Sequence, residues 1–223
     1  MVQLSGPSVP PRAGGAPRQL VVLLHGVGAD GRDLIELAPL LARHLPHAAF
    51  HAPDAPSPCD MAAYGRQWFS LQDRRSAAML KGLLRTAPLL DEFLTSLLAR
   101  HGLSDGQLAL LGFSQGTMMS LYTAFRRPRP LAGVLGFSGA LLGAESLVQE
   151  VRSRPPVLLI HGDADDVVPI DAMFLAVEAL QAADIPAQWF LRPGLPHSID
   201  PDGIDAGGRF LASTLELPAP RVG

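Results

Sequence analysis

An α/β fold, with a mostly parallel central sheet and helices on both of its faces, is what the sequence predicts. Short apolar runs alternate with longer segments of helical periodicity along most of the 223 residues, the pattern of repeated strand–helix units. The runs, such as QLVVLL at 19–24 and PVLLIHG at 156–162, are nearly continuous rather than alternating. Strands of that kind need cover on both faces, which a parallel sheet between helices provides. No internal repeat or composition break divides the chain, so residues 1–223 are expected to form one domain, without a separate cap domain.

The elements follow in order. QLVVLL is a buried strand. Residues 31–44 place Leu34, Leu37 and Leu41 at helical spacing, with Pro39 expected to kink or divide the helix. AAF at 48–50 is a short strand, and residues 51–76 form a long loop. Residues 87–101 are an amphipathic helix stopped by Gly102. QLALLGF is a strand leading into a helix, SQGTMMSLYTAF, that ends before Pro128. LAGVLGF and PVLLIHG are strands. A helix at 169–183 opens on Pro169, a favoured first position. QWFLR is the last strand and 202–216 the last helix. The Pro/Gly-rich ends, 1–18 and 217–223, receive no element and are expected to be poorly ordered.

Composition narrows the function. With 48% hydrophobic residues the chain can bury a sizeable core. A net charge of -3 argues against nucleic acid or an acidic membrane as partner. Cys59 is the single cysteine, which excludes an intrachain disulfide and fits a reducing compartment. The N-terminus lacks signal-peptide character, and no apolar run reaches transmembrane length. A cytoplasmic protein without stable membrane insertion is the expectation; a homodimer is allowed.

GFSQG at 112–116 lies between a strand and a helix. In an open parallel sheet, ligands bind beyond the carboxyl ends of the strands. A serine in a sharp turn there is strained and exposed, beside helix N–H groups that favour developing negative charge. Gly112 and Gly116 leave room for the neighbouring helix and strand. A plain helix N-cap would explain Ser114 but not the two glycines. Ser138, in GFSGA, also ends a strand but lacks the fifth-position glycine.

A nucleophilic serine needs a base, and the base an orienting acid, in the order Ser, acid, His for this topology. Only His161 and His197 follow Ser114. His161 sits in a strand and reads as a packing residue. His197 lies in a loop after the last strand that can bend over the serine. HGDADDVVP offers Asp163, Asp165 and Asp166; Asp163 is placed to hold the turn through backbone N–H groups, and Asp165 reaches further over the sheet edge. The run lacks the glycine and closing glutamate of a Ca²⁺ loop, so no metal is expected. HGVG at 25–28 can turn backbone N–H groups toward the site, and the amides of Val27 and Gln115 are the candidate oxyanion donors.

LHGVGADG, APDAP, GRQWF, GFSQG, HGDADDVVP and PGLPHS occur in that order. The chain thereby resembles the phospholipase/carboxylesterase family of α/β-hydrolases, which includes acyl-protein thioesterases, over roughly residues 18–215. The resemblance implies the α/β-hydrolase fold, hydrolysis of carboxylic esters or thioesters, no cofactor, and a catalytic triad of Ser114, Asp165 and His197. Asp165 follows from the G-D-x-D and V-P pattern. The stretch APDAPSPCDMAAYGRQWFSLQDR is more similar to bacterial esterases of the family than to eukaryotic thioesterases. Met61, Tyr64, Trp68, Phe69 and Leu71 are the expected substrate wall, with Phe69 equally readable as a loop anchor. The expected activity is hydrolysis of short-to-medium acyl esters through an acyl-enzyme. The alternatives are a lysophospholipase or acyl thioesterase with the same residues, or a non-catalytic binding protein on this fold.

Overall fold

The computed structural model describes residues 3–215. The apolar runs become strands β2 (Gln19–Leu24), β3 (Ala48–His51), β6 (Leu108–Phe113), β7 (Gly133–Phe137), β8 (Val157–Gly162) and β9 (Ala187–Arg192), and β1 (Ser8–Val9) joins them. Their order in the sheet is β1-β3-β2-β6-β7-β8-β9. Every pairing is parallel except β1 with β3. β4 (Ser57–Pro58) and β5 (Arg66–Gln67) form a separate antiparallel ladder in the long loop.

Strand β2 shows why continuous runs were needed. Leu20, Val22 and Leu24 enter one core cluster, Val21 and Leu23 the other. Helices α3 (Ser76–His101), α4 (Gln115–Arg126) and α6 (Asp171–Ala182) supply the first cluster. Helices α1 (Gly31–Ile35), α2 (Ala38–Leu41) and α7 (Pro201–Thr214) supply the second. A short α5 (Leu147–Glu150) precedes β8. With helices on both faces, the strands' carboxyl ends are left as the open edge where a site can form.

Two expectations are corrected and a third is decided between its alternatives. Of the two outcomes expected at Pro39, the helix is divided, into α1 and α2. Helix α3 begins at Ser76, not 87, because Gly82 and Pro88 do not break it. A Cβ at Gly82 would come within 2.7 Å of the Phe69 Cβ, so the glycine admits a loop side chain rather than ending a helix. The N-terminal stretch contributes β1, and the amide of Ala52 donates to the Pro7 carbonyl at 3.0 Å. The expectation for residues 217–223 lies outside the described residues.

A buried and a half-buried histidine give the fold an acid sensitivity. His51 ends β3, where burial and then the neighbouring His101 and Arg100 push it down to about 4. Burial likewise lowers His25, at the end of β2, against the smaller opposing pull of the Gly26 carbonyl and nearby aspartates. The unfolded chain takes up both protons near 6.5. Below that value the unfolded state therefore binds more protons than the folded one, and stability falls as pH falls. For His51 the loss runs from about 6.5 to about 4, at no more than ~1.4 kcal/mol per pH unit. Urea midpoints should drop between pH 7 and pH 5, and less steeply in His51→Phe. An unchanged slope in that variant would remove His51 from the account.

Candidate active site

Ser114 joins β6 to α4 with φ 53 and ψ -116, a conformation that L-residues adopt only under strain. The surrounding backbone holds it there. The Ser114 amide donates to the Phe137 carbonyl on β7 at 2.9 Å, while its own carbonyl accepts from Thr117 and Met118. The glycines are required as the sequence implied. A Cβ at Gly116 would collide with the Leu24 carbonyl, and one at Gly112 with the Gly116 backbone. Although Ser114 occupies the N-cap of α4, its hydroxyl makes no capping hydrogen bond. The hydroxyl is therefore free for another role, and it faces a cavity of about 520 Å3 that His197 also lines.

Ser138 shares the positive φ, at 47, at the end of β7. It is almost wholly enclosed, its hydroxyl has no partner among the described residues, and it is absent from the cavity wall.

The three aspartates after β8 separate cleanly. The Asp165 side chain is fully buried, and its Oδ2 lies 2.8 Å from His197 Nδ1. Its Oδ1 accepts the amides of Val167 and Val168 at 3.0 and 2.9 Å. Burial alone would raise its pKa; the hydrogen bonds from His197 and those two amides outweigh burial and hold the carboxyl below its ordinary value. Asp163 accepts a backbone amide, as expected, but that of Gly194 at 2.6 Å, so it ties the histidine loop to the acid loop rather than closing its own turn. Asp166 is exposed.

His161 does more than pack. Its Nε2 lies 2.8 Å from the Val168 carbonyl and 3.3 Å from Asp165 Oδ2, which braces the turn carrying the acid.

His197 is held from several directions besides Asp165. Its ring rests on Phe113 with centroids 4.8 Å apart. The preceding residues are pinned to the end of β8: the Ala164 amide donates to the Leu195 carbonyl at 3.2 Å, and a Cβ at Gly162 would strike that same carbonyl. The following residues are held by Asp200, which caps α7 through the Gly203 amide at 2.9 Å and accepts from Arg192 Nε at 2.8 Å. No Ser114–His197 hydrogen bond occurs among the described residues; such bonds commonly tighten only around bound substrate.

The loop after β2 lies against the serine. A Cβ at Gly26 would come within 3.3 Å of the Ser114 Cβ, and Val27 and Gln115 both line the cavity. Gln115 is the first residue of α4, so its amide has no acceptor within the helix. The Val27 amide likewise has no hydrogen bond among those between described residues. Gly28 takes φ 82 and is fixed by β-bridge-like bonds to the long loop: its amide donates to the Arg66 carbonyl at 2.9 Å, and the Arg66 amide to the Ala29 carbonyl at 2.8 Å.

His25 is the positioning residue that sequence reading missed. It is fully buried. The Ala55 amide donates to its Nε2 at 3.0 Å, and its Nδ1 lies 2.7 Å from the Gly26 carbonyl. The first bond requires an unprotonated Nε2, so the ring is neutral with its proton on Nδ1. In that state it clamps the loop after β2 to the 52–55 segment. Its signal in the sequence is the histidine that opens HGVG at the end of a strand.

The expected substrate wall is partly corrected. Met61 and Leu71 line the cavity. Tyr64 is 86% exposed and lies outside it. Trp68 and Phe69 are buried anchors rather than wall. The Trp68 indole donates to the His25 carbonyl at 2.9 Å. The Gln115 side chain accepts the Trp68 amide at 2.9 Å and donates to the Phe69 carbonyl at 2.6 Å. The wall instead recruits Cys59, Met79, Met118, Ala140 and Val168, side chains scattered along the chain that no local pattern groups together. Trp68→Ala should therefore cost ~3–5 kcal/mol of stability, while Met61→Ala, at a half-exposed side chain, should alter acyl selectivity with little loss in urea midpoint. The reverse pattern would restore Trp68 to the wall.

Known proteins share this fold. Residues 11–215 match the model of the family described as Phospholipase/Carboxylesterase. Acyl-protein thioesterase 1 of Schizosaccharomyces pombe is 33% identical over 208 residues, covering 89% of this chain and 92% of the relative. Among solved structures, esterase PE8 superposes with a TM-score of 0.92 at 44% identity, covering 96% of this chain and all of that one. Acyl-protein thioesterase 2 of Zea mays superposes with a TM-score of 0.77 at 25% identity, covering 94% and 98%.

Proposed function

The chain belongs to the phospholipase/carboxylesterase family and is a carboxylic ester hydrolase, and from that premise we propose that it is a serine carboxylesterase acting on short-to-medium acyl esters. The observation that carries the reading is the strained Ser114, with an uncapped hydroxyl, sharing one cavity with a His197 that is bonded to a buried, ionised Asp165. In the proposed mechanism Ser114 Oγ attacks the ester carbonyl as His197 Nε2 takes its proton. The Val27 and Gln115 amides meet the developing oxyanion, a task that removes on the order of 10²–10³ in rate when one donor is lost. Asp165 keeps the histidine proton on Nδ1 and stabilises the imidazolium. His197 then protonates the leaving alcohol, and water hydrolyses the acyl-enzyme by the same route in reverse.

The apolar cavity, open to solvent and without a cap, supports a short-to-medium acyl group. Each methylene it covers contributes roughly 0.8 kcal/mol, and those beyond it contribute nothing. The values of kcat/KM for p-nitrophenyl esters from acetate to palmitate should rise over the first few carbons and then flatten or fall. A steady rise to palmitate, or a marked preference for acyl thioesters over matched oxygen esters, would favour the acyl-thioesterase reading that the 33% identical relative suggests. Failure to label with a fluorophosphonate would overturn the serine mechanism itself. Lone Cys59 and the balanced composition support a cytoplasmic setting.

A further inference from the structure

The cavity wall carries one permanent charge. Of its lining residues only Arg74 belongs to the charged types Asp, Glu, Lys and Arg. Arg74 sits in a turn whose other charges are already paired. Asp73 accepts from both the amide and Nε of Arg75 at 3.0 Å, which consumes the one carboxylate adjacent in sequence. Arg74 is exposed, and no ion pair to it occurs among the described residues. The positive end of α3 adds to the same sign: Met79, from its first turns, lines the cavity, and its first turn holds no acidic residue.

An apolar cavity with a single uncompensated guanidinium on its wall discriminates by charge. A neutral acyl ester fills the apolar part and leaves Arg74 in water. An ester that also carries an anion, remote from the reacting carbonyl, gains a charge-assisted pair at no cost in buried polar groups. We propose that Arg74 is a specificity residue that selects esters bearing a carboxylate or other monoanionic group, so that the physiological substrates are anionic monoesters rather than neutral ones. This rests on the ester-hydrolase reading above and adds the substrate's charge to it.

The test compares matched pairs. For an anion in the acyl part, p-nitrophenyl hydrogen adipate and hydrogen suberate are set against the neutral p-nitrophenyl hexanoate and octanoate. For an anion in the alcohol part, 4-acetoxybenzoate is set against its methyl ester. The readout is the ratio of kcat/KM for anionic over neutral partner, in wild type, Arg74→Gln, Arg74→Glu and Arg74→Lys. In at least one arm Arg74→Gln should lower the ratio by up to about fivefold, the upper end of the worth of a solvent-exposed charge pair. Arg74→Glu should lower it further, and Arg74→Lys should keep it within about twofold. Raising salt to 0.5 M should shrink the wild-type ratio toward that of Arg74→Gln. Turnover of the neutral esters with a ratio unmoved by Arg74→Glu in both arms overturns the proposal alone. No turnover of any ester would overturn the parent reading and this one with it.

Discussion

Ser114→Ala is expected to lose activity by on the order of 10⁴-fold or more, since serine, histidine and acid act as a unit, while remaining folded. Its hydroxyl caps nothing, so removing it deletes no structural hydrogen bond of the helix. Ser114→Gly should be equally inactive and, unlike the alanine variant, more stable than wild type. At φ 53 and ψ -116 the serine stores strain of roughly 1–3 kcal/mol, which glycine relieves. On a chain of this size each kilocalorie raises the melting temperature by about 2–4 °C. The pair of variants thus separates chemistry from architecture in one thermal-melt and one esterase assay. Near-normal turnover in either would end the role assigned to Ser114. Ser138→Ala is the control: its enclosed hydroxyl lies outside the cavity, and most activity should survive.

Asp165→Asn should cost nearly as much, on the order of 10⁴-fold in kcat, for a reason visible in its contacts. An asparagine oxygen can still accept the Val167 and Val168 amides that Oδ1 now accepts, so the turn is kept. The amide nitrogen then faces His197 Nδ1, where Oδ2 now sits at 2.8 Å. A donor in that place favours the tautomer with its proton on Nε2, which cannot take the proton from serine. Asp163→Asn weakens the bond to the Gly194 amide and should appear mainly as a lower melting temperature. Asp166→Asn, at an exposed side chain, should be mild. Comparable loss of kcat from Asp163→Asn or Asp166→Asn would mean that the acid has been misassigned.

These contrasts mark how far the sequence was readable. The parallel sheet was legible because strands covered on both faces must be apolar at successive positions, and β2 is. The elbow was legible because a strained serine flanked by close backbone needs glycine two residues away on either side, and Gly112 and Gly116 meet that need. Helix α3 starts earlier than expected and runs through Gly82 and Pro88 without a break. Local propensity was overruled by Phe69, which packs where a side chain on Gly82 would stand.

What the sequence by itself determined is the set of candidates: which serine stands in an elbow, which histidine follows the last strand, and which loop offers the aspartates. Each of those depends on neighbours a few residues away, or on chain order in a known topology. What only the tertiary structure decided is the surroundings of that set. It separated the aspartates by partner, turned Trp68 from cavity wall to anchor beneath the His25 carbonyl, and revealed the neutral His25 that clamps the loop after β2. It also left Arg74 unpaired on the cavity wall. Those facts rest on contacts between residues tens of positions apart, whose energies depend on distance and burial, and no spacing along the chain encodes either.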